Sequence, residues 1–183
     1  MSTLVDYSII SREQFNRITN IADQEQLHPD YVTGIREIFR AHNVVHQLGL
    51  QLLHSHYELP PGSIALTVKL DADLLVTKIT PRLAVSEDNL HGQLYFLNKE
   101  HRFQAYEYEY GQPVNLPTPF LQDLAKFIIE NGIEKQVAIA TSSPEAPNTE
   151  ITLGSNATAT LFGKKAVAKA KELGGPTMIG WKF

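Results

Sequence analysis

The sequence contains no cysteine. This absence excludes disulfide bridges, thiolate zinc sites, iron–sulfur clusters and cysteine nucleophiles together. The chain also has no apolar run approaching the ~18 residues that a membrane-spanning helix needs. Its first residues lack the charged start and long apolar segment of a signal peptide. We therefore predict a cytoplasmic protein with no membrane partner.

Positive charge is also scarce, because 16 lysines and arginines face 20 aspartates and glutamates and give a net charge of −4 at pH 7. General nucleic-acid binders usually carry a basic excess, so we predict no nucleic-acid partner. The sequence has no phosphate-binding glycine loop, nucleophile-elbow serine or dinucleotide fingerprint. The remaining composition, 43% hydrophobic over 183 residues, is typical of a single soluble domain spanning residues 1–183.

Residue patterns predict an α+β fold, with two N-terminal helices, a mostly antiparallel sheet and later helices packed on it. A capping box at Ser11 and apolar residues at helical spacing predict a first helix over Ser11–Gln26. A second helix begins near Pro29 and ends at Ala41-His42-Asn43, because asparagine tolerates the left-handed cap position. Later helices are predicted at Thr118–Asn131 and Lys164–Leu173, a flexible loop at Thr141–Asn148, and strands at Ile64–Leu70, Leu74–Ile79, Gly92–Leu97, Arg102–Tyr110, Val137–Ala140, Ile151–Leu153, Ala157–Phe162 and Met178–Phe183.

The stretch Leu48–Leu59 carries the sharpest chemical signal of the chain. Read as a strand, it alternates between two faces and places His54, His56 and Glu58 on the same one. Two imidazoles on one strand face can hold a divalent transition metal when a neighbouring strand completes the ligand set. The pair can equally hydrogen-bond to carboxylates and tyrosines without a metal.

Any such site must be completed from another strand. Glu107 is the best candidate for the carboxylate, and Glu109 is the alternative on the same strand face. A third nitrogen could come from His91 or His101. Tyr106 or Tyr57 would then donate a hydrogen bond at the site.

The strand Arg102–Tyr110 admits a plainer interpretation as well. Alternation puts Tyr106, Tyr108 and Tyr110 on one face and the two glutamates on the other. Paired carboxylates beside a cleft can serve as general acid and base, because each shifts the pKa of the other. The same pattern is more often an aromatic core face backed by a solvated face.

Another histidine pair, His42 and His46, lies at helical spacing, and a helix-capping role is the simpler interpretation. The lysines of the segment Lys164–Leu173 are most simply the solvated face of a helix, because aromatic residues do not alternate with them.

The block Leu52-Leu53-His54-Ser55-His56-Tyr57 and the later Ala105-Tyr106-Glu107-Tyr108 together resemble a group of uncharacterised, mostly fungal proteins. That group has a Leu-Leu-His-Arg-His-Phe core and a downstream Pro-Tyr-Glu-Phe. The resemblance covers about residues 30–110, and this chain departs from it most notably at Ser55, where the group has arginine. It implies no activity, but it nominates His54, His56 and Glu107 as positions to test together.

Two functional hypotheses follow from the sequence. In the first, a pocket lined by His54, His56 and Glu107 binds a small molecule or a metal and supports acid–base or metal-assisted chemistry, with Tyr106 as a hydrogen-bond donor. In the second, the protein is a non-catalytic interaction or structural module, and the same histidine–glutamate network only ties strands together.

Overall fold

Ten strands form one curled, half-barrel sheet in the computed structural model, which describes residues 4–72, 74–141, 148–172, 180, 181 and 183. The protein is therefore mostly β. The strands are β1 (Val5–Asp6), β2 (Gly49–Leu52), β3 (Ser63–Asp71), β4 (Leu74–Pro81), β5 (Leu90–Leu97), β6 (Phe103–Tyr110), β7 (Val137–Ala140), β8 (Asn148–Thr152), β9 (Ala157–Phe162) and β10 (Gly180–Trp181).

Nine of these strands follow one another in the order β10-β2-β7-β5-β6-β3-β4-β9-β8. Most neighbours are antiparallel, and β6 makes the parallel pairings. One edge of β6 is shared, because β1 pairs with its beginning at Phe103 and β3 pairs with its end at Tyr108. The shared edge lets the N-terminal segment join the sheet at the strand that carries Glu107.

The curl brings together strands that are far apart in this order. Gln51 on β2 donates a hydrogen bond from its Nε2 to Oε1 of Glu150 on β8, at 3.1 Å. These strands lie near opposite ends of the path, so the face that carries both side chains is the concave one. The candidate site is built at this closure.

Four α-helices accompany the sheet in the described part of the chain: α1 (Arg12–Phe15), α2 (Pro29–Ala41), α3 (Thr118–Asn131) and α4 (Gly163–Glu172). The rings of Phe39 on α2 and Phe120 on α3 meet edge to face, with centroids 5.0 Å apart. Both belong to the same buried core as Leu50 on β2 and Ile139 on β7. α4 packs against β8 and β9. No described helix has the length and apolar content needed to cross a bilayer.

The predicted α+β class is wrong, and the first predicted helix shows why. The capping box at Ser11 is present, but α1 ends at Phe15 instead of Gln26. The following segment bonds to another part of the chain, since Ser55 N donates to Thr19 O and Ile21 N donates to Ser55 O, both at 2.9 Å. These tertiary hydrogen bonds replace the local ones that a longer helix would need.

Several other expectations are confirmed. The second helix ends as predicted, with His42 as its C-cap and Asn43 at a φ of 54°. The helix over Thr118–Asn131 is capped by Gly132 at a φ of 65°. The hairpin β5–β6, the pair β8–β9 and the helix near Lys164–Leu173 are also found. Residues 142–147 of the predicted loop and residues 178, 179 and 182 of the predicted last strand lie outside the described residues.

Gly92 on β5 leaves no room for a side chain. A Cβ built there would lie 2.5 Å from Cβ of Ala105 and 2.5 Å from Cζ of Tyr95. Overpacking of this kind usually costs 1–3 kcal/mol, so we expect Gly92→Ala to lower the free energy of unfolding by about that amount. Urea denaturation followed by circular dichroism measures the change, and an unaltered midpoint would contradict the packing described.

Candidate functional site

Two histidines and one glutamate meet at a single point on the concave side of the sheet. Nε2 of His54 and Nε2 of His56 each lie 2.8 Å from Oε2 of Glu150, and the two nitrogens are 3.1 Å apart. The imidazole rings stand almost perpendicular, at 81°. These three residues form the His54–His56–Glu150 cluster, whose ligand atoms all lie within 4.8 Å of one another.

The backbone around the histidines is held from both sides, although β2 itself ends at Leu52. Leu53 N donates to Gln136 O at 2.9 Å, where the chain leads into β7. Ser55 forms the bridge to Asn20 in the N-terminal segment. Alternation breaks after Leu52, because Gln51 and His54 both reach Glu150 although strand spacing would put them on opposite faces. The predicted strand over Leu48–Leu59 is therefore wrong beyond Leu52, but the two histidines still point to the same side.

Each imidazole has a partner for its other nitrogen. Nδ1 of His54 lies 2.7 Å from the carbonyl oxygen of Leu52, and Nδ1 of His56 lies 2.9 Å from Oγ1 of Thr152 on β8. A carbonyl only accepts, so Nδ1 of His54 carries a hydrogen and the lone pair of the neutral ring is on Nε2. Outer partners of this kind orient histidines that bind metals.

Electrostatics couple Glu150 to the histidines. Burial alone would raise the pKa of Glu150, but the nearby imidazoles of His54 and His56 hold it well below its usual range. Burial would likewise lower the pKa of His54, and the charge and hydrogen bond of Glu150 raise it above its usual value instead. Glu150 is therefore ionised, and Gln51 holds its other oxygen.

The distances within the cluster would let one metal ion reach all three side chains. Ligand atoms about 2.1 Å from a common metal are about 3.0 Å apart at octahedral angles and about 3.4 Å apart at tetrahedral angles. The observed separations of 2.8, 2.8 and 3.1 Å are those of direct hydrogen bonds and lie close to these spacings. Two histidines and one carboxylate on one face of an octahedron are the ligand set of non-haem iron(II) enzymes.

Glu107 lies beside this cluster but does not join it. Glu107 and Glu150 line the same small cavity, of about 30 Å³. The described hydrogen-bond partner of Glu107 is instead Thr77, whose Oγ1 lies 3.2 Å from its Oε2. The carboxylate that the structure brings to His54 and His56 is Glu150, where the sequence alone had predicted Glu107.

A chain of hydroxyl groups leads to Glu107. Oγ1 of Thr77 lies 2.8 Å from Oγ1 of Thr67, which donates to Oε1 of Gln93 at 2.7 Å. Oγ1 of Thr77 donates to Glu107, and this hydrogen bond by itself lowers the pKa of the carboxyl group. Burial, followed by the charge of Glu150, raises the pKa of Glu107 to about 7.

Tyr106 lies on the same side as Glu107, contrary to simple alternation. Leu94 and Phe96 of β5 share a face; Leu94 pairs with Glu107 and Phe96 pairs with Gln104. These pairings skip Tyr106, which marks a bulge, and its ring contacts Phe96 with centroids 6.0 Å apart. The bulge thus turns Tyr106 toward the concave side, where it is fully buried.

Other residues nominated from the sequence lie away from the cluster. Glu58 and His101 are exposed. Glu109 pairs with His91 across the β5–β6 ladder; burial raises the pKa of Glu109, and the charge of His91 opposes this. His42 caps α2 and has its Nε2 2.8 Å from Oδ2 of an aspartate on α3, as the capping interpretation predicted.

A much larger cavity than the one beside Glu107 lies on the opposite face. It has a volume of about 990 Å³ and lies between the N-terminal segment, the outer side of β5–β6 and residues 113–116. Its charged side chains are already paired, because Arg82 binds Glu87 at 3.2 Å and Arg102 binds Asp6 at 3.0 Å. The larger cavity is therefore not the one with the cluster of ionisable groups. Glu107 and Glu150 line the smaller cavity.

Glu150 is the site residue that sequence reasoning missed. Its segment alternates as Asn148-Thr-Glu-Ile-Thr152, which puts Glu150 and Thr152 on one face of a strand. That face pairs with a second threonine-rich strand, which indicates a polar inner surface. The alternation therefore indicated that Glu150 faces a polar surface, but no local pattern shows which distant strand lies opposite it.

Comparisons with family models, with curated proteins and with solved structures found no match. The resemblance to the fungal group therefore remains an expectation that rests on short motifs.

Proposed function

We propose that the protein binds one divalent transition metal through His54, His56 and Glu150, and that the metal acts on a small-molecule ligand. The observation that carries the proposal is the convergence of three ligand atoms within 3.1 Å of one another. Gln51, Leu52 and Thr152 hold the remaining polar atoms of these three side chains. The cluster thus has the outer hydrogen bonds that metal sites use to fix their ligands.

In the absence of a metal, the cluster must be held by hydrogen bonds from the two imidazoles to Glu150. Without a metal, each Nε2 needs a hydrogen to bond to Glu150, and both hydrogens would point at the same oxygen from nitrogens only 3.1 Å apart. Two positively polarised N–H groups at that distance repel each other. A dication would replace both hydrogens and take the two nitrogen lone pairs and the carboxylate oxygen as ligands.

The ligand set favours metals that accept nitrogen and oxygen in octahedral geometry, iron(II) foremost, with manganese(II) and cobalt(II) as close substitutes. A facial set of three ligands leaves the opposite positions free for water or substrate. The chemistry that suits this arrangement is metal-assisted: the metal polarises or activates an oxygen atom of a bound small molecule.

A second function is favoured by the position of the cluster in the sheet. It joins β2 to β8, so it can act as a clasp that keeps the half-barrel curled without any metal. A clasp predicts that His54→Ala lowers the melting temperature of metal-free protein, because a buried charged partner is left unpaired. A metal pocket predicts unchanged or improved stability for the same variant.

Metal analysis of untagged protein tests the proposal directly. We expect about one equivalent of bound iron(II) or cobalt(II) per chain, and its loss in the His54→Ala/His56→Ala variant, because a lone carboxylate binds these metals weakly. The matched control is His46→Ala/His101→Ala, which removes two exposed histidines and should keep the metal. A folded wild-type protein that takes up no metal from excess cobalt(II) would refute the metal function.

A further inference from the structure

A buried hydroxyl on β9 has no hydrogen-bond partner among the described residues. It belongs to Thr158, which is 4% exposed. Unpaired buried hydroxyls are rare in folded proteins, because the hydrogen bonds that they lose to water are not replaced. The neighbours of Thr158 in the sheet show what this hydroxyl can connect.

Thr158 stands in a row of threonines that crosses the sheet. It pairs directly with Thr77 on β4 on one side and with Thr152 on β8 on the other. Directly paired residues project from the same face of a sheet, with Cβ atoms about 4.5–5.5 Å apart. Such a pair can bring its hydroxyls together in this sheet, since Thr67 and Thr77 are also in register and their Oγ1 atoms are 2.8 Å apart.

The two ends of the row contact groups of the candidate site. Oγ1 of Thr152 lies 2.9 Å from Nδ1 of His56, and Oγ1 of Thr77 donates to Glu107 at 3.2 Å. Thr158 therefore occupies the position between the outer nitrogen of His56 and a carboxyl group on β6. Neighbouring hydroxyls in such a row bond either directly or through one bridging water molecule.

A row that ends on a carboxylate has a direction, because a carboxylate oxygen only accepts and each hydroxyl has one hydrogen to donate. Thr77 gives its hydrogen to Glu107, so it accepts from Thr158. Thr158 then accepts from Thr152, and Thr152 accepts from Nδ1 of His56. The hydrogen of the neutral imidazole is therefore on Nδ1, and the lone pair of Nε2 faces the cluster.

Thr152 alone would leave the tautomer of His56 undefined. A hydroxyl can either donate to an imidazole nitrogen or accept from it, so its contact with Nδ1 has no fixed direction. His54 differs, because its Nδ1 lies against the carbonyl oxygen of Leu52, which only accepts. Histidines that bind metals usually have such an outer acceptor. The row supplies one to His56 at a distance.

We infer that Thr158 is a positioning residue, which connects His56 to Glu107 through Thr152 and Thr77 and fixes the tautomer in which His56 binds the metal. The inference rests on the proposed metal function. It adds a residue that forms no hydrogen bond with the three ligands in the described structure. Glu107 acts as the acceptor at the far end of the row, and a dication in the neighbouring cluster favours its ionised form.

The test compares Thr158→Val, which removes the hydroxyl, with Thr158→Ser, which keeps it, in full-length protein loaded with cobalt(II). High-spin cobalt(II) shifts the NMR signals of the ring N–H protons of its histidine ligands away from all others, so each can be followed separately. We expect two such signals in wild type. In Thr158→Val the signal of His56 should broaden by faster exchange with water, and the signal of His54 should remain sharp.

Cobalt(II) affinity is the second measurement, by competition with a colorimetric chelator. Loss of an outer partner lowers metal affinity about 10- to 100-fold, so we expect Thr158→Val to fall in that range and Thr158→Ser to restore both affinity and signal. Thr160→Val is the matched control. Thr160 lies on the same face of β9 and lines the small cavity, but it pairs with Leu75 and Glu150 and is outside the row.

Stability separates positioning from a general structural role. Removing an unpaired hydroxyl should leave the melting temperature of metal-free protein unchanged or raised. If valine prevents folding, Thr158→Ala compared with Thr158→Ser gives the same contrast. Wild-type affinity and two sharp signals in Thr158→Val would overturn the inference, and so would weaker binding that serine does not restore. Failure of wild-type protein to bind cobalt(II) would instead refute the proposed function, and the inference with it.

Discussion

Glu150→Gln is expected to lower the affinity for iron(II) or cobalt(II) by more than about 100-fold, whereas Glu107→Gln should change it by less than about 10-fold. Loss of an outer-shell partner alone costs about 10- to 100-fold, so loss of the anionic ligand itself should exceed that range. Glu150 shares one oxygen between both imidazoles at 2.8 Å, and Glu107 is bonded to Thr77.

The two variants form a matched pair, since each replaces a largely buried carboxyl group with an amide of nearly the same shape. Both carboxyl groups line the same cavity, so general damage to this region should affect the two variants alike. Competition of the protein with a colorimetric chelator for the metal gives both affinities. An equal loss in the two variants would show that Glu107 completes the site, as the sequence alone suggested.

The second large effect concerns how the stability of metal-free protein depends on pH. Glu107 has a folded pKa of about 7, above the ordinary value of 4.5. The folded state therefore holds a proton that the unfolded state releases between these values, and stability falls as pH rises from about 4.5 to about 7. The contribution is complete below pH 4.5 and amounts to at most about 3 kcal/mol.

Glu107→Gln should remove this dependence, because the amide resembles the protonated carboxyl group and cannot ionise. We expect the variant to match wild type near pH 5 and to exceed it by up to about 3 kcal/mol near pH 8. His54 and Glu150 titrate in both proteins, so the difference between the curves reports the titration of Glu107 together with its electrostatic coupling to these two groups. Urea denaturation in the presence of a chelator measures the two curves. Parallel curves would mean that Glu107 is already ionised in the folded protein.

The sequence predicted the local elements of the fold better than its class. Segments whose partners are near in the chain were found, such as the β5–β6 hairpin and the helix closed by Gly132. The error at Ser11–Gln26 arose because Ser55, far along the chain, supplies the hydrogen bonds that end the helix early. The apolar residues of this segment, such as Phe15 and Ile18, are buried in the core although the helix does not continue.

The sequence predicted the two histidines of the candidate site but not its carboxylate. The spacing of two residues was enough to place His54 and His56 together, because that relation is local and survives the end of β2 at Leu52. Glu150 required knowledge of how the sheet curls, since it lies 96 residues beyond His54. The bulge at Tyr106 was also hidden, because a single extra residue in a ladder leaves no mark in the alternation of tyrosine and glutamate.

The separation between the histidines and Glu150 has a consequence for the assembly of the protein. During synthesis, the histidine pair emerges long before its carboxylate, so under the proposed function a ribosome-bound chain would hold a metal only weakly. The full ligand set forms once the last hairpin, β8–β9, has joined β4 and bent the sheet onto itself. Metal retention would then serve as a checkpoint on complete folding, because a chain that stops short of β8 has every early strand and still cannot keep the ion.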